Sequence, residues 1–172
     1  MKHMLTGSST PRGFTLVEIL IVVLILGILA GIALPQFGQT TRAARTSVLA
    51  QQLHRLRAQV ALYRVQHQGT NPGWLNGNPT PSTDRFVDQL TMPTNIDGQT
   101  AASSGPSHPM GPYLERMPTN PINDLDTVRF YSGADFPGAP TGAAGWIVDP
   151  ASGRVVADVA GNDDNGKAWI SY

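Results

Sequence analysis

The sequence has no cysteine among its 172 residues. Without thiols, the chain cannot form a disulfide framework, a thiolate zinc site, an iron–sulfur cluster or a cysteine nucleophile. Charged residues are also scarce, at 14%, where an average soluble protein has about 25%. Twelve basic side chains balance twelve acidic ones, so the net charge gives no reason to expect a nucleic-acid partner.

The balanced total conceals two parts of opposite charge. Residues 1–83 carry seven Lys or Arg and a single acid, Glu18, for a net charge of +6. Residues 84–172 carry five basic and eleven acidic side chains, for a net charge of −6. The two parts are therefore expected to meet different surroundings.

An apolar run of 21 residues, Phe14 to Leu34, contains Glu18 as its only charge. As a helix it would be about 31 Å long, which matches a hydrocarbon layer of about 30 Å. The run therefore predicts a transmembrane helix. Two alternatives are a buried core helix, which usually stops after about 10–14 residues, and a secretory signal peptide cleaved near Ala33. Cleavage there would interrupt a helix whose pattern continues beyond it.

The segment from Pro35 to Gln68 predicts an amphipathic continuation of this helix, with Pro35 as a potential kink. Its apolar residues recur at steps of three and four, which places them on one stripe. Gly69 is expected to end the helix. The stripe consists of Val48, Leu49, Leu53, Leu56, Val60 and Tyr63.

The remainder, residues 69–172, has 13 Gly and 12 Pro, which predicts long loops. A short helix is expected at Asp84–Leu90, capped by Ser82 or Thr83, with Phe86, Val87 and Leu90 facing inward. The segment Asp149–Gly153 has the composition of a hairpin connection. Short strands are predicted at Thr127–Tyr131, Trp146–Val148, Arg154–Asp158 and Ala168–Tyr172.

These elements predict an α+β fold, in which a long N-terminal helix packs its stripe on a small antiparallel sheet. Trp74, Trp146 and Trp169 are interpreted as core anchors. His54, His67 and His108 have no metal-ligand spacing and are interpreted as surface or groove residues. The chain contains no catalytic motif that we can identify, and it is predicted not to be an enzyme.

Glu18 is the informative residue of the apolar run. A carboxylate in this position is costly in a bilayer, although less so near an interface. It could reach back to the lipid head groups, or it could pair with a positive charge from another molecule, since its own segment offers none. Gly27 and Gly31 form a GxxxG pattern that allows two helices to approach closely.

The segment Arg12-Gly13-Phe14-Thr15-Leu16-Val17-Glu18-Ile19-Leu20, followed by the apolar run, resembles the processing signal of type IV pilins and of type II secretion pseudopilins. The resemblance implies that a prepilin peptidase cuts after Gly13 and N-methylates Phe14. It also assigns assembly roles to Glu18, Gly27 and Pro35. Glu18 would pair with the amine that cleavage exposes on Phe14 of an adjoining subunit.

The resemblance implies four zones: a leader (1–13), a transmembrane and filament-core helix (14–34), its amphipathic continuation (35–68) and a periplasmic head (69–172). The chain would cross the bacterial inner membrane once, with a cytoplasmic N-terminus, and leave the membrane for a filament after processing. Its implied partners are other copies of itself, minor pseudopilins or pilins, the peptidase and the assembly platform of the inner membrane.

The implied function is that of a type II secretion pseudopilin, which polymerises in the periplasm to drive protein export. The lack of cysteine favours this choice, since adhesive pilins often close a loop with a disulfide. One alternative is a type IV pilin of a surface filament that serves adhesion, motility or DNA uptake. Another is a membrane-anchored binding module that never polymerises.

No cofactor is required by this interpretation, but calcium is a candidate. Some major pseudopilins bind calcium in a C-terminal loop, and the loop of this chain is rich in oxygen ligands. The candidate ligands are Asp158, Asn162, Asp163 and Asp164. A second hypothesis concerns Arg42, Arg45, Arg55 and Arg57, which could meet the acidic head of a neighbouring copy.

Overall fold

The computed structural model describes residues 13–75 and 80–172, and within this range it describes the backbone but not the side chains of residues 32–40. The predicted leader up to residue 12 and the side chain of Pro35 lie outside the described part. The chain forms two compact units, Met1–Thr41 and Arg42–Tyr172. The second unit holds the sheet and the core, and it is called the head below.

One long helix, α1, runs from Leu16 to Gln66 over 51 residues. It ends where Gln68 and Gly69 take left-handed backbone angles (φ 55° and 88°), which glycine adopts without strain. The amide of Gly69 donates to the carbonyl of Arg64 at 2.8 Å. The predicted helix and its stop signal are confirmed, with the end two residues earlier than expected.

The apolar stripe of α1 is buried as predicted, except at one position. Five of its residues are at most 3% exposed: Leu49, Leu53, Leu56, Val60 and Tyr63. Val48 is 41% exposed, so its predicted burial is wrong. A helix turns about 100° per residue, so Leu49 occupies the inward position and Val48 points away from it.

The sheet consists of three short strands, β1 (Val128–Phe130), β2 (Trp146–Val148) and β3 (Val155–Ala157), in that spatial order. β2 and β3 are antiparallel, with Ile147 opposite Val156. β1 and β2 are parallel, with Arg129 opposite Ile147. The sheet is therefore mixed, and the prediction of a purely antiparallel sheet is wrong. The connection over residues 131–145 is long enough to return the chain to the same end of the sheet.

The predicted hairpin connection between β2 and β3 is confirmed. The amide of Asp149 donates to the carbonyl of Arg154 at 2.9 Å, and the amide of Gly153 donates to the carbonyl of Asp149 at 2.8 Å. Gly153 has φ 76°, a left-handed angle that favours glycine. The turn therefore sets the register of the two strands that it joins.

The fourth predicted strand, Ala168–Tyr172, is wrong. Trp169–Ser171 instead forms one turn of 3-10 helix, and Ala168 makes only an isolated bridge to Asn162. The rings of Trp169 and Tyr172 stack at 6.0 Å and pack against the core. Aromatic residues favour strands because their side chains pack well on a pleated sheet. Here Trp169 and Tyr172 pack against the core although their backbone does not join the sheet.

The short helix α2, Thr83–Thr91, confirms the predicted helix. The hydroxyl oxygen of Ser82 accepts from the amide of Arg85 at 3.5 Å and caps the helix. Phe86 and Leu90 are fully buried. α2 therefore contributes these two side chains to the same core as the α1 stripe.

Trp146 lies at the centre of this core, fully buried, with its indole nitrogen donating to the carbonyl of Pro118 at 2.8 Å. It confirms one predicted aromatic anchor, whereas Trp74 and Trp169 are only half-buried. The core cluster joins the α1 stripe, α2 and the strands. The predicted α+β architecture is thereby confirmed.

The prediction for His67 is wrong, since this side chain is only 1% exposed. Its Nδ1 donates to the carbonyl of Tyr63 at 2.9 Å, and its Nε2 accepts from the Thr94 hydroxyl at 3.1 Å. Burial lowers the pKa of His67. The signal was present in the sequence, because His67 follows Tyr63 by four residues and so continues the buried stripe.

We expect Leu53→Ala to destabilise the head by about 2–5 kcal/mol, because it leaves a cavity under the sheet. Leu62→Ala is the matched control, since Leu62 lies on the same helix and is 44% exposed. It should cost no more than about 0.5 kcal/mol. Urea denaturation of the two variants measures both effects, and equal losses would contradict the assigned packing.

Candidate functional site

The start of α1 holds Glu18 in a fixed position. The hydroxyl oxygen of Thr15 accepts from the amide of Glu18 at 3.2 Å, which is half of a capping box. Glu18 is thus placed in the first turn, near the positive end of the helix dipole. Sequence reasoning missed Thr15, although the pattern Thr-x-x-Glu before an apolar run is the signal for such a cap.

Glu18 and Phe14 are both exposed, with Phe14 at 76%. They lie four positions apart, with Thr15 between them as the cap. Among the described residues, no side chain encloses either of them. A second molecule can therefore approach both.

The glycines singled out in the sequence have free space around them. A side-chain carbon added at Gly13, Gly27 or Gly31 would meet nothing within 4 Å, and none of these residues has a left-handed angle. The described fold therefore does not require glycine at these positions.

The first part of α1 exposes a continuous apolar surface. Every large apolar side chain from Leu16 to Leu29 is between 46% and 83% exposed. A patch of this size on a protein marks an interaction surface. In the part of the chain whose side chains are described, no helix is both long and apolar enough to count as a membrane span.

Three of the four arginines proposed to meet a neighbour already have partners in the head. Arg42 pairs with Asp164 at 3.3 Å, and Arg45 donates to the carbonyl of Pro121 at 3.3 Å. Arg57 donates to the carbonyl of Val155 at 2.9 Å and to a main-chain oxygen of Tyr172 at 2.8 Å. Arg55 is exposed.

A partly buried ion pair joins β1 to the end of β3. Nε and Nη2 of Arg129 donate to the two carboxylate oxygens of Asp158 at 2.8 and 3.0 Å. The amide and hydroxyl of Thr141 donate to the same carboxylate at 2.7 and 2.9 Å, and the amide of Ala144 donates at 3.2 Å. Asp158 is fully buried. Its carboxylate therefore fastens the loop before β2 to the sheet.

The surroundings of Asp158 favour its charged form. Burial alone would raise the pKa of this carboxyl, but the hydrogen bonds from Arg129, Thr141 and Gly142 lower it to about 2. A buried carboxylate is stable only with such partners. Sequence reasoning placed Asp158 among metal ligands and missed its partner Arg129.

Two of the other calcium candidates, Asp163 and Asp164, also have protein partners. Oδ1 of Asp163 accepts from the amides of Asn165 and Lys167 at 2.9 and 2.8 Å, and its Oδ2 accepts from the Tyr172 hydroxyl. Asp164 pairs with Arg42. Among the described residues, no three His, Asp or Glu side chains are grouped so as to hold a metal ion. Calcium binding therefore stays a prediction.

Comparison with known proteins agrees with the family resemblance of the residues at the start of α1. Residues 9–34 match the family of the prokaryotic N-terminal methylation motif. Over 95 residues, the chain is 33% identical to prepilin peptidase-dependent protein D of Escherichia coli (strain K12), covering 54% of this chain and 65% of that protein. The chain thus spans just under two thirds of this relative.

Two further relatives carry the names of both filament systems. Type II secretion system core protein G of Klebsiella pneumoniae is 29% identical over 111 residues, 64% of this chain and 68% of that protein. Type IV major pilin protein PilE1 of Neisseria gonorrhoeae is 28% identical over 102 residues, 57% of this chain and 62% of that protein. No solved structure matches the chain significantly.

The motif and these relatives support the pilin and pseudopilin family for this chain. The predicted resemblance is thereby confirmed, and the motif match covers Gly13, Phe14, Glu18 and Gly27. Pilins and pseudopilins are structural subunits, which confirms the prediction that this chain is not an enzyme.

The ion pair predicts a specific pH dependence. The pKa of Asp158 is about 2 in the fold and 3.8 without its partners. Its contribution to stability is therefore complete above the higher value and is lost as the pH falls through about 2. We expect the free energy of unfolding to drop by about 2 kcal/mol over this window on account of Asp158.

Urea denaturation of wild type and Asp158→Asn between neutral pH and pH 2 measures this effect. The variant should lose roughly 3 kcal/mol at neutral pH, because Arg129 loses its charged partner, and it should show a shallower decline in acid. Asp126→Asn, at an exposed carboxylate, is the control. Parallel pH curves for wild type and Asp158→Asn would contradict the role of Asp158.

Proposed function

We propose that this chain is a type II secretion pseudopilin that polymerises in the periplasm to drive protein export. The observation that carries the proposal is the exposed Glu18, held by its cap near Phe14 at the start of a helix whose apolar surface is not covered by any of the described residues. Such a helix needs lipid or other helices around it. In the core of a filament, the helices of other subunits surround it.

The assembly step follows from the charges. Cleavage after Gly13 gives Phe14 a charged amine, next to the apolar surface of the helix. In the low dielectric of a helix bundle, an unpaired amine or carboxylate is costly, whereas a close pair attracts strongly. Glu18 of an incoming subunit therefore pairs with Phe14 of its neighbour, and this pairing sets the register between them.

Gly27 supports the same step, because the open space around it allows a neighbouring helix to approach. Pro35 would loosen the helix as the subunit leaves the membrane. In this proposal the apolar helix is anchored in the inner membrane with the head in the periplasm. The prepilin peptidase, the assembly platform and minor pseudopilins are its partners.

The relatives include a type IV pilin as well as a type II secretion protein. A type IV pilin of a surface filament is therefore the second candidate. The alignment to core protein G covers more of this chain than the alignment to the major pilin, 64% against 57%, and the chain lacks the cysteines of many adhesive pilins. Deletion of the gene separates the two. Loss of protein export supports the pseudopilin, and loss of surface filaments with normal export supports the pilin.

We expect Gly13→Val and Glu18→Gln to fail at different steps in the host cell. Gly13→Val should block cleavage, because a branched side chain obstructs the peptidase, and the full-length chain should persist in mass spectra. Glu18→Gln should be cleaved but should yield at least about tenfold fewer polymers in a chemical cross-linking ladder, because the buried amine lacks its partner.

Each variant controls for the other, since processing and polymer formation are measured on the same samples. A chain that still starts at Phe14 in the Gly13→Val strain would contradict the processing site. A full ladder from Glu18→Gln would contradict the charge pairing. A wild-type chain that is processed but forms no ladder would favour the binding module that never polymerises.

The head is proposed to need no bound cation, because the guanidinium of Arg129 already neutralises Asp158. We expect the melting temperature of the full chain in detergent to stay the same when calcium is added or removed with a chelator. Arg129→Gln is the matched variant, since it removes the internal positive charge. A clear rise of the wild-type melting temperature with calcium would contradict this proposal and restore the calcium site.

A further inference from the structure

A pocket of about 120 Å³ lies in the head between the end of α1 and the loop that follows α2. Tyr63, near the end of α1, and His67, just after it, line one side, and residues 96–98 of the loop line the other. Gln68 and Thr70 complete the lining. Most of these side chains carry polar groups, so the pocket suits a ligand that forms hydrogen bonds.

The hydroxyl of Tyr63 is the unusual group of this pocket. Tyr63 is fully buried, and among the described residues its hydroxyl has no hydrogen-bond partner. Burial raises the pKa of Tyr63, so the hydroxyl keeps its proton and needs an acceptor. Buried polar groups nearly always have a partner, because leaving one unpaired is costly.

The ring of Tyr63 is held in place, so the hydroxyl cannot swing to a partner elsewhere. His67 stacks on this ring with 3.7 Å between the ring centroids, and Tyr113 meets it edge-on at 5.4 Å. His67 is itself fixed by its hydrogen bonds to the carbonyl of Tyr63 and the hydroxyl of Thr94. The partner must therefore come to the hydroxyl.

Gly98 leaves space beside this hydroxyl. A side-chain carbon added to Gly98 would meet the Tyr63 hydroxyl at 2.8 Å and Nε2 of Gln89 at 2.6 Å. Gln89 is already engaged, since Nε2 donates to the carbonyls of Trp74 and Gly98 at 2.8 and 2.7 Å. Its Oε1 accepts from the amide of Gly73 at 2.7 Å. A ligand can therefore reach the Tyr63 hydroxyl only because position 98 has no side chain.

The charges around the pocket favour a neutral ligand. Among the described lining residues Asp97 is the one carboxylate, and it disfavours an anion. Burial lowers the pKa of His67, so its imidazole offers no positive charge at neutral pH. An ammonium group has no lone pair to accept the Tyr63 proton. No three His, Asp or Glu side chains of the described residues are grouped to hold a metal ion.

We propose that this pocket binds a neutral hydroxyl group, supplied by water or by a small polyol, which accepts the proton of the Tyr63 hydroxyl. Its own proton can go to the carboxylate of Asp97, since a carboxylate has about four acceptor positions. Water occupies about 30 Å³ per molecule, so the pocket holds about four waters or one small polyol such as glycerol. The inference is independent of filament assembly, because all its contacts lie within the head.

The sign of the change in melting temperature of Tyr63→Phe tests the bond, measured on the full chain in detergent. If a hydroxyl is bound, the variant loses a hydrogen bond and should melt about 3 °C below the wild type. If none is bound, the variant loses only an unsatisfied group and should melt higher.

Tyr113→Phe is the matched control, since Tyr113 packs on Tyr63 and its hydroxyl donates to Oε1 of Gln66 at 2.6 Å. It loses an established hydrogen bond of the same aromatic group and should melt lower by a similar amount. A melting temperature of Tyr63→Phe equal to the wild type or above it would overturn the proposal.

Crystal structures of the full chain in detergent, grown with and without glycerol, identify the source of the hydroxyl. We expect an ordered oxygen about 2.7–3.0 Å from the Tyr63 hydroxyl. Water in both crystals supports water as the ligand, and glycerol in its place supports a polyol. A pocket without an ordered oxygen at that distance in either crystal would overturn the proposal, whatever the melting temperatures.

Discussion

The head depends on the burial of one stripe of α1 against the sheet and α2. Leu53 and Leu56 are almost completely buried there, with Trp146 at the centre of the same core. Strands of three residues cannot form a stable sheet without such cover. The loops of the head can be long because this helix supplies the apolar surface on which they and the strands pack.

The first part of the same helix differs in its surroundings. From Leu16 to Leu29 its apolar side chains are exposed on all sides, so there the helix is not amphipathic and needs a cover that the described residues do not supply. Glu18 and the free space around Gly27 fit that requirement. One helix thus carries two kinds of surface, one completed within the chain and one that needs other molecules.

Charge is divided in the same way. Arg129 and Asp158 form an ion pair within the head. The carboxylate of Asp158, which the sequence predicted as a calcium ligand, is therefore already bound by an arginine. Among the described residues, Arg154 forms no ion pair with an acid, and Asp84 and Asp88 form none with a base. A chain with equal numbers of acids and bases can therefore be neutral as a whole and still carry unpaired charges of both signs.

The sequence by itself determined the local features. The steps of three and four in the stripe predicted α1, Gly69 predicted its end, and Ser82 predicted the start of α2, because periodicity and capping depend on neighbours in the chain. The segment around Gly13 and Glu18 predicted the family, because the motif is a continuous stretch of residues.

Only the tertiary structure decided which distant side chains meet. The parallel pairing of β1 with β2 depends on where the loop over residues 131–145 returns, and the turn at Trp169 depends on its contact with the core. The partner of Asp158 lies 29 residues away on another strand. No local pattern encodes such distances, because packing of the whole head brings these groups together.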